Sequence, residues 1–196
     1  MLLNPFLVII YLLDLVKKQS VYIFSKNLFK ASIFSAFVFS VFAILGDSIF
    51  QNIVKAHFAS FQIFGGIIFL LIGIQFIMKG NSAIDGLRGD SEDVSSSIAI
   101  PVLIGPGTIS ASVIMGKKLP PLSAVAGIAG TVMLSAVIMI LLKCLHDYIH
   151  PKKERIIEKY IEIAGRIMAL YIGTVSIEMI MNGMSFWIKT LKNVFL

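Results

Sequence analysis

The residues best able to do chemistry in this chain surround a break in an apolar stretch. It reads Pro101-Val-Leu-Ile-Gly105-Pro106-Gly107-Thr108-Ile-Ser110-Ala-Ser112. Pro106 has no N–H to donate, and its ring clashes with the turn before it. Glycine on either side permits further departure from helix. In a stretch this apolar, freed backbone groups must meet protein, water or solute, because each one left unpaired in hydrocarbon costs several kcal/mol. Thr108, Ser110 and Ser112 add hydroxyls beside them. A half-helix beginning after Gly107 would point its positive end at the break, which suits a solute carboxylate. The competing reading is a packing kink whose hydrogen bonds close internally.

Asn4-Pro5 is a second breaker: Asn caps helix starts and Pro suits the first turn. Glu178 lies inside an apolar run, where an acidic side chain is costly and rarely faces lipid, so it is the candidate carrier of a coupling proton. Arg166 stands nearer the other end of that run and reads as a snorkelling anchor, and Asp14 as a partner across the bundle. His146 and His150 are four apart beside Asp147, yet no third ligand follows at metal spacing, so they read as a solvated connection. Ser97, Ser110 and Ser112 have no base nearby, and phosphate loops, zinc-protease motifs and nucleophile elbows are absent from the sequence. No enzymatic activity, metal or cofactor is expected, beyond H+ or Na+ as a coupling ion.

The elements that must position these groups are membrane helices. The 196 residues are 57% hydrophobic and 14% charged, with a mean hydropathy of +0.91, more apolar surface than a soluble domain of this length can bury. Charge-free runs at 58–78, 94–116 and 119–142 approach or exceed the length of a spanning helix. The pattern predicts one all-α membrane domain over 1–196, with six membrane-embedded segments at about 1–15, 30–52, 58–79, 94–115, 119–142 and 161–184. The first is short: residues 1–13 cover only about 20 Å of a roughly 30 Å core. The phenylalanines at 29, 34, 37, 39, 42 and 50 read as lipid-facing or core filler. Cys144 stands alone, so no intrachain disulfide forms.

The formal charge of +6 lies mostly in connections and does not suggest nucleic-acid binding. The odd-numbered connections hold eleven Lys and Arg, and the opposite side, with the C-terminal end, holds five. The positive-inside rule therefore puts the odd connections in the cytoplasm and both termini outside a cell membrane, the inner one in a Gram-negative cell. The 80–93 connection carries Asp85, Asp90, Glu92 and Asp93, but the rule counts basic residues only.

One apolar pattern occurs twice. Residues at 63/163, 65/165, 67/167, 70/170, 72/172, 73/173 and 77/177 are identical at an offset of 100, and Asn4-Pro5 aligns with Gly105-Pro106-Gly107 at 101. The repeats run over 1–79 and 94–184, joined by the acidic connection. Three segments per copy is odd, so the second copy enters from the opposite side, giving two inverted three-helix repeats with a broken fourth segment. Such a pair has two nearly equivalent packings, the physical basis of alternating access.

The chain resembles the MarC family of multi-pass membrane proteins over nearly its whole length. The resemblance rests on Asn4-Pro5, Gly46, Gly65-Gly66, Pro101 with Gly105-Pro106-Gly107, Arg166 and Asn182-Gly183. Departures are Leu7 and Ile10 where the family has Gly and Pro, Glu178 in place of Gln, and Asn182 in place of Asp. The resemblance implies a six-span inner-membrane protein of the kind described as small neutral amino acid transporters, related to exporters of the lysine efflux type, which have similar size and span number. With the breakers, it points to a secondary transporter of a small neutral solute such as an amino acid. Asn4, Pro5, Gly105, Pro106, Gly107, Thr108 and Ser110 would form its binding site, and Glu178 would couple the ion. Expected partners are membrane lipids and that solute, with a homo-oligomer left open. The alternative, favoured by the short first segment, is a membrane scaffold or accessory protein without transport.

Overall fold

A computed structural model describes Val8, Val16, residues 19–79 and residues 104–195, without the side chains of 47, 79, 149–162 and 193–195. Among the described residues the chain is helical. Helix α1 covers Val21–Ser48 and continues as a wider π turn, Ile49–Val54. Helix α2 is Phe58–Lys79, α3 is Pro106–Lys118, and α4 is Pro121–Phe195. By length and composition, four stretches can cross a membrane: Val21–Gly46, Phe58–Met78, Pro121–Tyr148 and Ile163–Lys192.

Local sequence sets the boundaries. Ser20 is extended, and its Oγ accepts the Ile23 N–H at 3.4 Å, capping α1. The π turn closes through the Lys55 N–H on the Phe50 carbonyl, and Lys55 turns the chain in the left-handed region at φ 54. Pro121 occupies the first turn of α4, where a missing N–H costs nothing, and the Ala124 N–H reaches the Pro120 carbonyl at 2.9 Å.

Two antiparallel pairs organise the bundle. Phe24, Leu28 and Ala31 of α1 pack with Ala136 and Met139 of α4, together with Val8 and Val16. Farther along, Phe39 and Ala43 pack with Ala124, Ile128 and Val132, so rising numbers on α1 meet falling numbers on α4. In the second pair, a Cβ on Gly73 of α2 would stand 3.4 Å from the Gly173 nitrogen, and Phe76 packs on Ala169. These contacts fold α4 back on itself. A straight helix of 75 residues would be about 110 Å long. Yet Lys117 Nζ, just before α4, lies 5.3 Å over the Phe58 ring, and the neighbouring His57 ring is 5.2 Å from Trp187. The helical run therefore reverses between its two spans, where the sequence places Pro151.

The expected segments meet the structure unevenly. The third is Phe58–Lys79 as read. The fifth and sixth are the two arms of α4. The second begins at Val21 rather than 30, because Lys26 and Lys30 sit on the exposed side of α1 and do not end it. Of the fourth, only the part from residue 104 is described; α3 has 13 residues, about 20 Å, too short to cross. The first segment and the 80–93 connection lie outside the described residues, apart from Val8 and Val16, which are both buried.

Several contacts recur at an offset of 100 residues. Helices begin at Val21 and Pro121. The two α1–α4 clusters contain Phe24 and Ala124, Leu28 and Ile128, Ala136 and Ala36, and Met139 and Phe39. Gly116 packs against the Ala43 backbone, while the Lys143 ammonium donates to the Val16 carbonyl.

Candidate functional site

The break sits halfway along the bundle. Gly105 is extended at φ −105 and ψ 167, Pro106 opens α3, and the first α-helical bond runs from the Ile109 N–H to the Gly105 carbonyl at 3.1 Å. Pro106 has no N–H, and Gly107, in the first turn, has no acceptor within the helix. Gly65 determines where this start lies. A Cβ there would come 2.5 Å from the Pro106 Cβ and 3.2 Å from the Met179 Cε, so only glycine admits the proline ring at this depth. One turn on, the Phe69 ring lies against Gly105, 3.3 Å from a Cβ built there. Both contacts fall near the middle of the Phe58–Met78 span.

Gly105, Pro106, Gly107, Thr108 and Ser110 are thus together at mid-bundle. Their hydroxyls are engaged within the protein. Thr108 Oγ1 accepts the Gly105 N–H at 3.0 Å and donates to the Gly105 carbonyl at 2.9 Å. Ser112 Oγ donates to the Thr108 carbonyl at 2.8 Å. Ser110 Oγ accepts Gln62 Nε2 at 3.3 Å, and both residues are buried. Sequence reasoning passed over Gln62; its signal is an amide inside a charge-free window. Asn4 and Pro5 lie outside the described residues.

The family model for MarC family integral membrane proteins matches residues 1–188. The chain belongs to the MarC family. No curated protein and no solved structure matches it. With its apolar helices, this MarC family chain is a multi-pass membrane protein.

The charged groups of this MarC protein lie away from the break. Glu178 lies on the exposed side of α4, and its Oε1 accepts Asn182 Nδ2 at 3.2 Å. Its neighbour Met179 faces inward, toward Gly65. Arg166 is exposed at the opposite end of the same span. Lys143, which the sequence places among the charges of a connection, is buried instead. It is 2% exposed, donates to the Val16 carbonyl and bonds Asp147 Oδ1 at 2.6 Å. His146 Nδ1 stands 3.3 Å from the same oxygen. The spacing of four on one helix lets Asp147 meet the ammonium, while the Val16 carbonyl ties it to the N-terminal segment.

Proposed function

We propose that this chain is a secondary transporter that moves a small neutral solute, of the size and polarity of an amino acid, by alternating access. The observation that carries the reading is a half-helix starting at Gly105-Pro106-Gly107, midway through an apolar bundle. Broken helices with backbone groups at mid-depth are where secondary transporters bind solute. The proposal includes six membrane-embedded segments in two inverted repeats, 1–79 and 94–184, joined by 80–93. The contacts recurring at an offset of 100 support it. A twofold axis in the membrane plane would carry Gly73 onto Gly173, with which it packs, and the Ala43–Gly116 contact onto Lys143–Val16. Asn4-Pro5 would face the Gly-Pro-Gly break across that axis, and H+ or Na+ would drive the cycle, with Glu178 as proton carrier. Both termini would lie outside the cell.

The test is uptake. Purified protein in liposomes under an imposed proton or sodium gradient should accumulate labelled glycine, alanine or serine. Neither uptake nor counterflow across a panel of small amino acids would remove the solute assignment. A second reading, a scaffold without transport, has its own support: Thr108, Ser110 and Ser112 all find partners inside the protein. It predicts that altering the break changes stability and nothing else. Sidedness is separable. In a Cys144-free background, cysteines at 88 and 153 should react only with reagents that reach the cytoplasm, and one at 118 only from outside. Labelling of 88 and 118 from one side would end the inverted arrangement.

A further inference from the structure

The two hydrophobic clusters between α1 and α4 do not touch. On α1 one cluster ends at Ala31 and the other resumes at Ala36; on α4 one ends at Val132 and the other resumes at Ala136. The buried positions in the gap are Ser32, Ser35 and Ser135, which are 1%, 1% and 6% exposed. A belt of serines thus separates two apolar cores where the helices cross. Ser35 and Ser135 are related by the offset of 100, so the belt lies at the centre of the repeat relation.

Two of these hydroxyls, those of Ser32 and Ser35, differ from most along the helices. Ser40, Ser112, Ser176 and Ser185, and Thr131, Thr174 and Thr190, each donate to the carbonyl four residues back. That bond is the ordinary way for a helical hydroxyl to be satisfied without water. Ser32 and Ser35 make no hydrogen bond although their Oγ atoms are fully buried. A buried hydroxyl left unmet costs about 1–3 kcal/mol, and alanine would fill the same space without that penalty. Two such residues one turn apart, in a gap that also holds buried Ser135, fit a polar guest.

The surroundings indicate the charge of that guest. No Asp or Glu is buried among the described residues, so nothing there would balance a cation. Ile104 and Ile109, at the start of α3, pack against the cluster containing Ala36, next to Ser35. The start of α3 and the neighbour of Ser35 thus share one cluster, and the positive end of that helix favours negative charge nearby. Hydroxyl donors and a helix N-terminus together match a carboxylate, whose hydrogen bonds are charge-assisted.

We propose that Ser32 and Ser35, with Ser135 opposite, bind the carboxylate of a small solute at the crossing of α1 and α4. The site deepens the transport reading and rests on it for the solute's passage, but it can be tested without transport. Cysteine is placed at 32, 35 or 135 in a Cys144→Ser background, with Leu28→Cys and Phe39→Cys as controls in the flanking cores. Liposomes are treated with ethylsulfonate or ethyl-trimethylammonium methanethiosulfonate. The belt positions should react and the controls should not. The anionic reagent should react at least fivefold faster at 32 and 35 than the cationic one, after normalisation to exposed Cys144 in the parent protein. Alanine should slow that reaction, while ethanolamine, which lacks a carboxylate, should not. Unreactive belt positions would overturn the site. Reaction with neither charge preference nor protection would mean water alone, and would overturn the ligand class. Ser35→Ala supplies a second measure: its unfolding midpoint should equal or exceed the parent's while alanine affinity falls tenfold or more. A lowered midpoint with unchanged affinity would make the hydroxyl structural. Carboxylate protection without uptake of any amino acid would remove the transport reading and leave the site.

Discussion

Asp147→Asn should destabilise the bundle from a position half in water. Lys143 is 2% exposed, and its ammonium has the Val16 carbonyl and the Asp147 carboxylate as partners. Removing one member of a buried ion pair costs about 3–5 kcal/mol, because the other charge stays buried without compensation. Asp147 is 39% exposed, so water reaches that end and screens part of the loss, leaving about 2–3 kcal/mol. Lys143→Met removes the charge and keeps the stem's packing. It removes the ammonium's hydrogen bond to the Val16 carbonyl, worth about 1–3 kcal/mol, and leaves a carboxylate that water can solvate. The two losses should not add: with Lys143→Met in place, Asp147→Asn should cost about 2–3 kcal/mol less than the sum predicts. The assay is unfolding in mild detergent, read as a double-mutant cycle. A change within about 0.5 kcal/mol for Asp147→Asn, or additive losses in the double variant, would refute the buried pair.

Other expectations concern the break and the outer face. Pro106→Ala supplies an N–H where the helix starts and lets it extend, so expression should hold while solute binding falls severalfold in equilibrium binding; unchanged binding with altered stability would make the break a packing feature. Gly65→Val meets the Pro106 Cβ at 2.5 Å and the Met179 Cε at 3.2 Å, and should cost about 1–3 kcal/mol by overpacking, read as a lowered unfolding midpoint. Glu178→Gln should leave solute exchange intact and abolish proton-driven accumulation in liposomes. Unaltered accumulation would reduce Glu178 to the surface pair with Asn182.

The helices were legible where charge and apolarity agree. The window 58–78 has no ionisable residue, and α2 fills it. Gly105-Pro106-Gly107 announced its helix start because proline and glycine act locally. Charge misled where a long side chain changed its surroundings. Lys26 and Lys30 reach outward from inside α1, whereas Lys143 turns inward to meet Asp147 and a carbonyl more than one hundred residues away. No sequence pattern carries that last contact. The serine belt was hidden for another reason. Serine occurs at 25, 32, 35, 40 and 48 of α1, and only the crossing with α4 decides which hydroxyls are buried and left without a partner. The matched apolar positions at an offset of 100 pointed to equivalent helices, but that Gly73 packs on Gly173 itself depends on tertiary register.

Alternating access is tested most directly by distances at the two ends of the α1–α4 pair. Spin labels at Leu45 and Leu119 report one end, and labels at the equivalent Leu145 and Gln19 report the other, in a Cys144-free protein in liposomes. Pulsed electron resonance should give two distances for each pair, with the longer population rising at one end as it falls at the other when alanine or a proton gradient is applied. A single distance at both ends, unmoved by solute or gradient, would contradict the transporter reading.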